Sequence, residues 1–224
     1  MAAISNVTTT SSLTACSEGS WSREARGLPD TMRKVLVWGA SRSGLAAARV
    51  LCCLGKQVLI CDRKEPALLA GLEALLALGA SFVPEAELDK HLAAVDLVIK
   101  SPGIPADLPL LRLVRSRGIL VWSEIELAYV LLPNSIDAIT GTNGKTTTTA
   151  LLGHLFLSAG RPARVLGNIG VAACSAVGNV DPDEELVVEV SSFQLEDVHT
   201  FRPACAVFLN LTPDHLDRHG SMEE

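Results

Sequence analysis

The sequence predicts an α/β fold, with two parallel sheets laid down in succession and helices on their faces. Three observations carry that prediction. From Lys34 onward, short apolar runs rich in Val, Leu and Ile alternate with helix-length amphipathic stretches. Two of the apolar runs lead directly into glycine-containing turns that open a helix, at 39–44 and 141–147. Between them, Leu132-Pro133-Asn134-Ser135 interrupts the pattern and marks the expected domain boundary.

Element by element, 35–38 reads as a buried strand by its length and β-branched content, followed by a helix over 43–54 and a strand over 57–61. A Leu- and Ala-rich helix is expected over 65–78. Strands near 81–83, 97–99 and 119–122 and helices over 109–117 and 124–132 complete the first series. The second begins with a strand over 136–140 and a long helix from Lys145, with further strands over 163–166, 186–190 and 204–209. The β-α-β-α order makes each sheet mostly parallel. Residues 1–32, rich in Ser and Thr and without apolar periodicity, read as a disordered extension; Glu18 and Glu24 argue against a transit peptide.

Composition narrows the function. The chain has 224 residues, 48% of them hydrophobic, and a net charge of −6, a poor match to nucleic acid. The best apolar stretch, 119–132, is broken by Glu124 and Glu126, so no membrane span is expected. None of the six cysteines forms a C-x-x-C pair, and three fall in apolar stretches, which fits free thiols in a reducing cytoplasm.

Gly141-Thr142-Asn143-Gly144-Lys145-Thr146-Thr147 follows a strand and opens a helix. Unpaired amides and the positive helix end suit polyphosphate, Lys145 adds charge for the β- and γ-phosphates, and the Thr146 hydroxyl is placed for Mg²⁺. Ile139 occupies the first Gly position of the usual pattern, so the loop is a shortened P-loop beginning at Gly141. The alternative is a plain turn with a surface Lys, but four consecutive threonines from Thr146 have no evident packing purpose in a helix.

Gly39-Ala40-Ser41-Arg42-Ser43-Gly44 makes the first series Rossmann-like, with Asp62 at the end of the next strand. Ser41 stands where a close approach to pyrophosphate wants Gly. The turn therefore fits NAD, another diphosphate, or no ligand at all. Ser101-Pro102-Gly103 ends a neighbouring strand and lines the same crevice, or is a rigid turn. Glu189, inside an apolar strand, is costly without a cation and points to a metal or a buried ion pair. His215 lies in a run of Asp, His and Asn after another strand and is a candidate metal ligand or phosphate contact; His91, His154 and His199 have no such context.

Together the GTNGKTT run, Gly167-Asn168-Ile169-Gly170, Glu189-Val190-Ser191-Ser192-Phe193-Gln194-Leu195-Glu196 and Asn210-Leu211-Thr212-Pro213-Asp214-His215 resemble the Mur ligases, and within them the D-glutamate-adding members. That resemblance implies ATP-dependent peptide-bond formation between UDP-N-acetylmuramoyl-L-alanine and D-glutamate through an acyl phosphate. It implies a Rossmann-like UDP-substrate domain over 33–132 and a P-loop-type ATP-binding domain from 133 to 224. Lys145 would hold phosphates, Thr146 and Glu189 one Mg²⁺, and His215 a second. Asn168 would contact the substrate, Arg42 and Ser43 the pyrophosphate, and Asp62, Arg63, Ser101 and Gly103 the uridine. A monomer is expected. The family's carbamylated lysine and C-terminal domain are not among these residues, so the chain is expected to be an N-terminal fragment that binds the UDP substrate without turnover. Three other readings are a non-catalytic UDP-sugar-binding relative, a folate-glutamylating relative and an NAD-linked oxidoreductase.

Overall fold

The computed structural model describes residues 27–222, so most of the extension expected over 1–32 lies outside the described residues. Leu28 is buried and Met32 packs against the core, so ordered packing begins before Arg33.

The first sheet contains β1 (Lys34–Trp38), β2 (Gln57–Asp62), β3 (Ser81–Pro84), β4 (Leu97–Lys100) and β5 (Leu120–Ser123). All are parallel, in the order β3-β2-β1-β4-β5. The side-chain period of two sends Val35 and Val37 into one core and Leu36 and Trp38 into another, on the opposite face. A strand buried on both faces reads as an unbroken apolar run, which is why these strands were visible in the sequence. The helices are α1 (Arg42–Cys53), α2 (Leu72–Ala77), α3 (Pro109–Ser116) and α4 (Glu124–Leu131).

The single helix expected over 65–78 is not there. Pro66–Leu68 forms a short 3₁₀ turn, and Gly71 at φ +90° separates it from α2. That left-handed residue ends the regular spiral that the Leu spacing suggested. A 3₁₀ segment, Glu85–Ala94, also fills the connection between β3 and β4.

The second sheet contains β6 (Ile136–Thr140), β7 (Ala163–Gly167), β8 (Glu185–Glu189) and β9 (Cys205–Phe208), parallel in the order β7-β8-β6-β9. Its helices are α5 (Lys145–Ser158), α6 (Ser192–Leu195) and α7 (Leu216–His219). One apolar cluster runs from β1 through α4 into β6 and β8, so the two sheets share a continuous core. Among the described residues no helix is long and apolar enough to cross a membrane.

Two cysteine thiols behave as the sequence suggests. Burial, then the Glu85 and Asp62 carboxylates, push Cys61 up to about 12, and burial raises Cys174 well above the ordinary thiol range. Neither is a nucleophile at neutral pH.

The turn after β1 leaves no room for a side chain at Gly44. A Cβ there would sit 1.9 Å from Gly39 O, because α1 is laid directly against the turn. Gly44→Ala is therefore expected to cost more than about 3 kcal/mol, read as a fall of roughly 10 °C in melting temperature. A melting temperature unchanged from the parent would contradict this packing.

Candidate functional site

The carboxyl ends of β4, β6, β7, β8 and β9 converge on a cleft of about 780 Å³. Parallel strands put their C-terminal loops on one edge of each sheet, which is where such folds take ligands. The cleft is lined from the second sheet by Gly141, Thr142, Lys145, Asn168 and His215, and from the first by Pro102 and Gly103.

The 141–147 loop is built by backbone geometry. Gly141 at φ +139° and Gly144 at φ +83° turn the chain from β6 into α5. A Cβ on Gly141 would come within 3.1 Å of the Asn210 backbone, so the segment after β9 presses against the loop. Asn210 also fixes it from the side: its Oδ1 accepts the Asn143 amide at 2.9 Å and its Nδ2 donates to Asn143 O at 3.0 Å. Thr142 Oγ1 donates to Thr212 O at 3.2 Å and accepts the Thr212 amide at 3.0 Å. Lys145 Nζ donates to Gly141 O at 2.6 Å and Thr142 O at 2.9 Å. Thr147 is exposed in the first turn of α5.

One of the four threonines does have a packing purpose. Thr149 is fully buried and its Oγ1 donates to Lys145 O at 2.8 Å, which satisfies the hydroxyl inside the helix.

Glu189 ends β8 and is 2% exposed. No cation faces it among the described ion pairs; instead Oε2 accepts the Thr146 hydroxyl at 2.8 Å and Oε1 accepts Asn168 Nδ2 at 2.9 Å. A carboxylate and a hydroxyl oxygen in contact at a helix N-terminus form the all-oxygen donor set that Mg²⁺ prefers. The pair fits that ion, although no trio of His, Cys, Asp or Glu is gathered for a metal among the described residues. Asn168 is presented by a crowded loop: at Gly167, φ +100°, a Cβ would fall 2.2 Å from Glu189 O.

His215 adopts φ +51°, the one positive φ outside glycine among the described residues, and starts α7. Its ring is exposed and lies 5.1 Å from Phe193, while His219 stacks on the same Phe193 at 5.0 Å and its Nε2 is 2.9 Å from Ser192 Oγ.

On the first sheet, Asp62 Oδ2 accepts the Ala40 amide at 2.7 Å and Oδ1 the Lys64 amide at 2.9 Å, so this carboxylate shapes the Gly39–Gly44 turn. Ser41 Oγ lies 2.9 Å from Ser101 Oγ, which joins that turn to the β4 loop. Ser43 Oγ is 3.4 Å from Ser41 Oγ. Arg63 pairs with Glu85 at 3.0 Å and turns toward the 3₁₀ segment. Arg42 reaches to the second sheet, where NH1 donates to Gly170 O at 2.7 Å and NH2 to Asn168 O at 3.4 Å. Arg42 thus connects the first helix to the loop that carries Asn168.

Sequence reasoning missed two buried carboxylates at the seam. Glu126 is 0% exposed and accepts the amides of His199, Thr200 and Phe201 at 2.7–3.0 Å together with the Thr200 hydroxyl at 2.6 Å. His199 Nε2 is 2.8 Å from Val121 O. Glu124 is also buried; Oε1 accepts the Cys174 amide, and Oε2 has no hydrogen-bond partner among the described residues. Burial pushes Glu124 up to about 7, against the hydrogen bonds from Cys174 and the charge of Arg42. Unfolded, this carboxyl ionises near 4.5. The folded chain therefore holds a proton that the unfolded chain has released, and stability falls as pH rises from about 4.5 to about 7. Glu124→Gln is expected to remove that decline, roughly 3 kcal/mol over the window. Urea midpoints of parent and variant at pH 5 and pH 7 check it, and parallel pH profiles would refute it.

The comparisons with known proteins bear on this geometry. Residues 139–224 match the Mur ligase middle domain. The UDP-N-acetylmuramoylalanine–D-glutamate ligase of Alkaliphilus oremlandii is 46% identical over 194 residues, covering 85% of this chain and 43% of that protein. The ligase of the same name from Pelotomaculum thermopropionicum is 48% identical over 193 residues, covering 86% and 42%. This chain thus spans less than half the length of those relatives. Among solved structures, the UDP-N-acetylmuramate:L-alanyl-gamma-D-glutamyl-meso-diaminopimelate ligase from Neisseria meningitides superposes with a TM-score of 0.53 at 22% identity, covering 86% of this chain and 64% of that one. That likeness concerns the fold. The middle-domain match begins in β6, the strand that leads into the 141–147 loop, so residues 139–224 belong to the Mur ligase middle-domain family, and the sequence relatives carry the likeness into the first sheet.

Proposed function

We propose that this chain carries the UDP-substrate and ATP-phosphate sites of a UDP-N-acetylmuramoylalanine–D-glutamate ligase, acting in the cytoplasm as a monomer. The observation that supports it best is the shared cleft. Loop 101–104, the phosphate loop, Asn168 and His215 all border one space, as a reaction between a polyphosphate and a carboxylate requires. In this reading residues 33–132 form the UDP-substrate domain and 133–224 the first part of the ATP domain.

The UDP pyrophosphate lies at the N-terminus of α1 by Ser43 and Arg42, and the uridine lies by Asp62, Arg63, Ser101 and Gly103. Lys145 leaves the loop carbonyls and turns to the β- and γ-phosphates of ATP. The amides of 141–147 take the remaining phosphate oxygens. Thr146 and Glu189 would hold Mg²⁺, with His215 at a second ion, and such ions would supply charge neutralisation between the L-alanine carboxylate and the γ-phosphate. That carboxylate oxygen attacks phosphorus and ADP leaves. The D-glutamate amine then attacks the acyl phosphate, phosphate departs, and an amide bond remains. Asn168, held by Glu189, orients the reacting carboxylate.

The test is calorimetric titration of the 224-residue chain with UDP-N-acetylmuramoyl-L-alanine and, separately, with NAD. Saturable binding of the UDP ligand, lost or weakened about tenfold in Asp62→Ala, is the expected result. Binding of NAD alone would reverse the reading in favour of an oxidoreductase.

A further inference from the structure

Loop 101–104 is held from the opposite half of the molecule by one side chain that the sequence did not single out. Arg218, on α7, donates through NH1 to Pro102 O and through NH2 to Ile104 O at 3.1 Å. The same guanidinium grips Glu196 as a fork, Nε to Oε1 at 3.1 Å and NH2 to Oε2 at 2.9 Å. One face lies 4.1 Å from the Phe193 ring centroid. Both edges and one face are engaged, an arrangement that an ammonium group cannot reproduce.

Behind this grip sits a buried charge. Lys100 is 1% exposed, donates to Glu196 Oε2 at 2.7 Å and to Ile104 O at 3.3 Å, and lies 2.9 Å from Asp197 Oδ2. Asp197 Oδ1 takes Arg115 at 2.7 Å. Three cations thus meet two carboxylates, and of these five side chains Arg218 is the one that lines the cleft. The seam's other buried carboxylates, Glu124 and Glu126, bond to residues outside the cleft lining. Holding the halves together therefore does not by itself require a guanidinium at the rim. What Arg218 adds is control of one loop: two of its carbonyls are turned into the seam, while a Cβ at Gly103 would meet nothing within 4 Å, so the loop's other side is open.

The geometry points to Arg218 as a positioning residue that sets the shape of loop 101–104, and through it the affinity of the first sheet's ligand crevice, from the middle-domain side. The affinity half of this inference rests on the proposed placement of the UDP substrate; the loop-shape half does not.

Amide hydrogen exchange and calorimetry on the 224-residue chain test it. The Ile104 amide is bonded to Ser101 O at 3.0 Å. In Arg218→Ala it is expected to exchange about tenfold faster or more, and UDP-N-acetylmuramoyl-L-alanine to bind roughly tenfold more weakly, while ADP affinity changes less than about twofold. Glu196→Gln loosens the grip from the other side and gives the same pattern, with the double variant well short of the summed effects. Arg218→Lys keeps the charge and does not restore the loop. Unchanged Ile104 exchange in these variants overturns the assignment, as does an equal loss of ADP and UDP-ligand affinity. If Arg218→Ala does not fold, Glu196→Gln and Arg218→Lys decide the question alone. Asp62 lies outside this network, so Asp62→Ala judges the substrate placement separately. If the parent chain fails to bind the UDP ligand, or Asp62→Ala binds it unchanged, that placement falls and Ile104 exchange still decides the role of Arg218.

Discussion

Lys145→Ala is expected to weaken ATP binding about a hundredfold or more while leaving the melting temperature within roughly 2 °C of the parent. The two halves of that result have separate causes. Lys145 Nζ contacts only carbonyls of its own loop, Gly141 O and Thr142 O, among the described hydrogen bonds. Both carbonyls border the cleft, so water replaces the lost donor at little cost to folding. Binding is another matter. A charge-assisted hydrogen bond to phosphate contributes roughly 1.5–3 kcal/mol, and an ammonium spanning two phosphates makes about two of them. The amides and glycines of 141–147 remain, so residual weak binding should persist and should depend steeply on salt. Isothermal titration with ATP and Mg²⁺ measures the loss. An affinity within about threefold of the parent would exclude Lys145 from the phosphate site.

Glu126→Ala carries the largest expected cost to stability, about 4 kcal/mol or more. The wild-type carboxylate is wholly buried and collects three backbone amides and a hydroxyl from 199–201. Truncation removes the shared acceptor of these part-buried hydrogen bonds, at roughly 1–3 kcal/mol for each donor left unpaired. Glu126→Gln is the informative companion. Its single carbonyl oxygen retains part of the set while its amide presents hydrogens to donors, so it should fall between parent and Ala. Chemical denaturation at pH 7 ranks the three. Equal midpoints for all of them would mean that 199–201 finds other acceptors.

The fold was legible wherever one local property decides it. Strands buried on both faces spell themselves out in Val, Leu and Ile, and both glycine turns announce the helices that follow. The helix expected over 65–78 failed because apolar spacing continues through Gly71, whose left-handed backbone interrupts the spiral without altering the pattern. Among the candidate site residues, the 141–147 loop, Glu189 and His215 stood out because each is a chemical oddity in its own stretch of chain. Arg218, Lys100 and Glu126 were not. Their partners lie 22 to 116 residues away for Arg218, and 73 to 75 for Glu126, and nothing local distinguishes a buried arginine fork from a surface charge. Arg42 shows the same limit: its position suggested pyrophosphate, and its side chain also spans to the loop of Asn168.

The continuous apolar cluster from β1 through α4 to β8 has a consequence for how the molecule comes apart. Two sheets joined by a short connection around Pro133 invite the expectation of two independently melting units. Here α4 buries seven of its eight residues, Glu124 and Glu126 among them, so neither sheet can lose its partner without exposing apolar surface and stranding buried charge. Unfolding should therefore be a single cooperative event, with calorimetric and van't Hoff enthalpies in agreement. Proteases should find no long-lived intermediate in which one sheet survives alone.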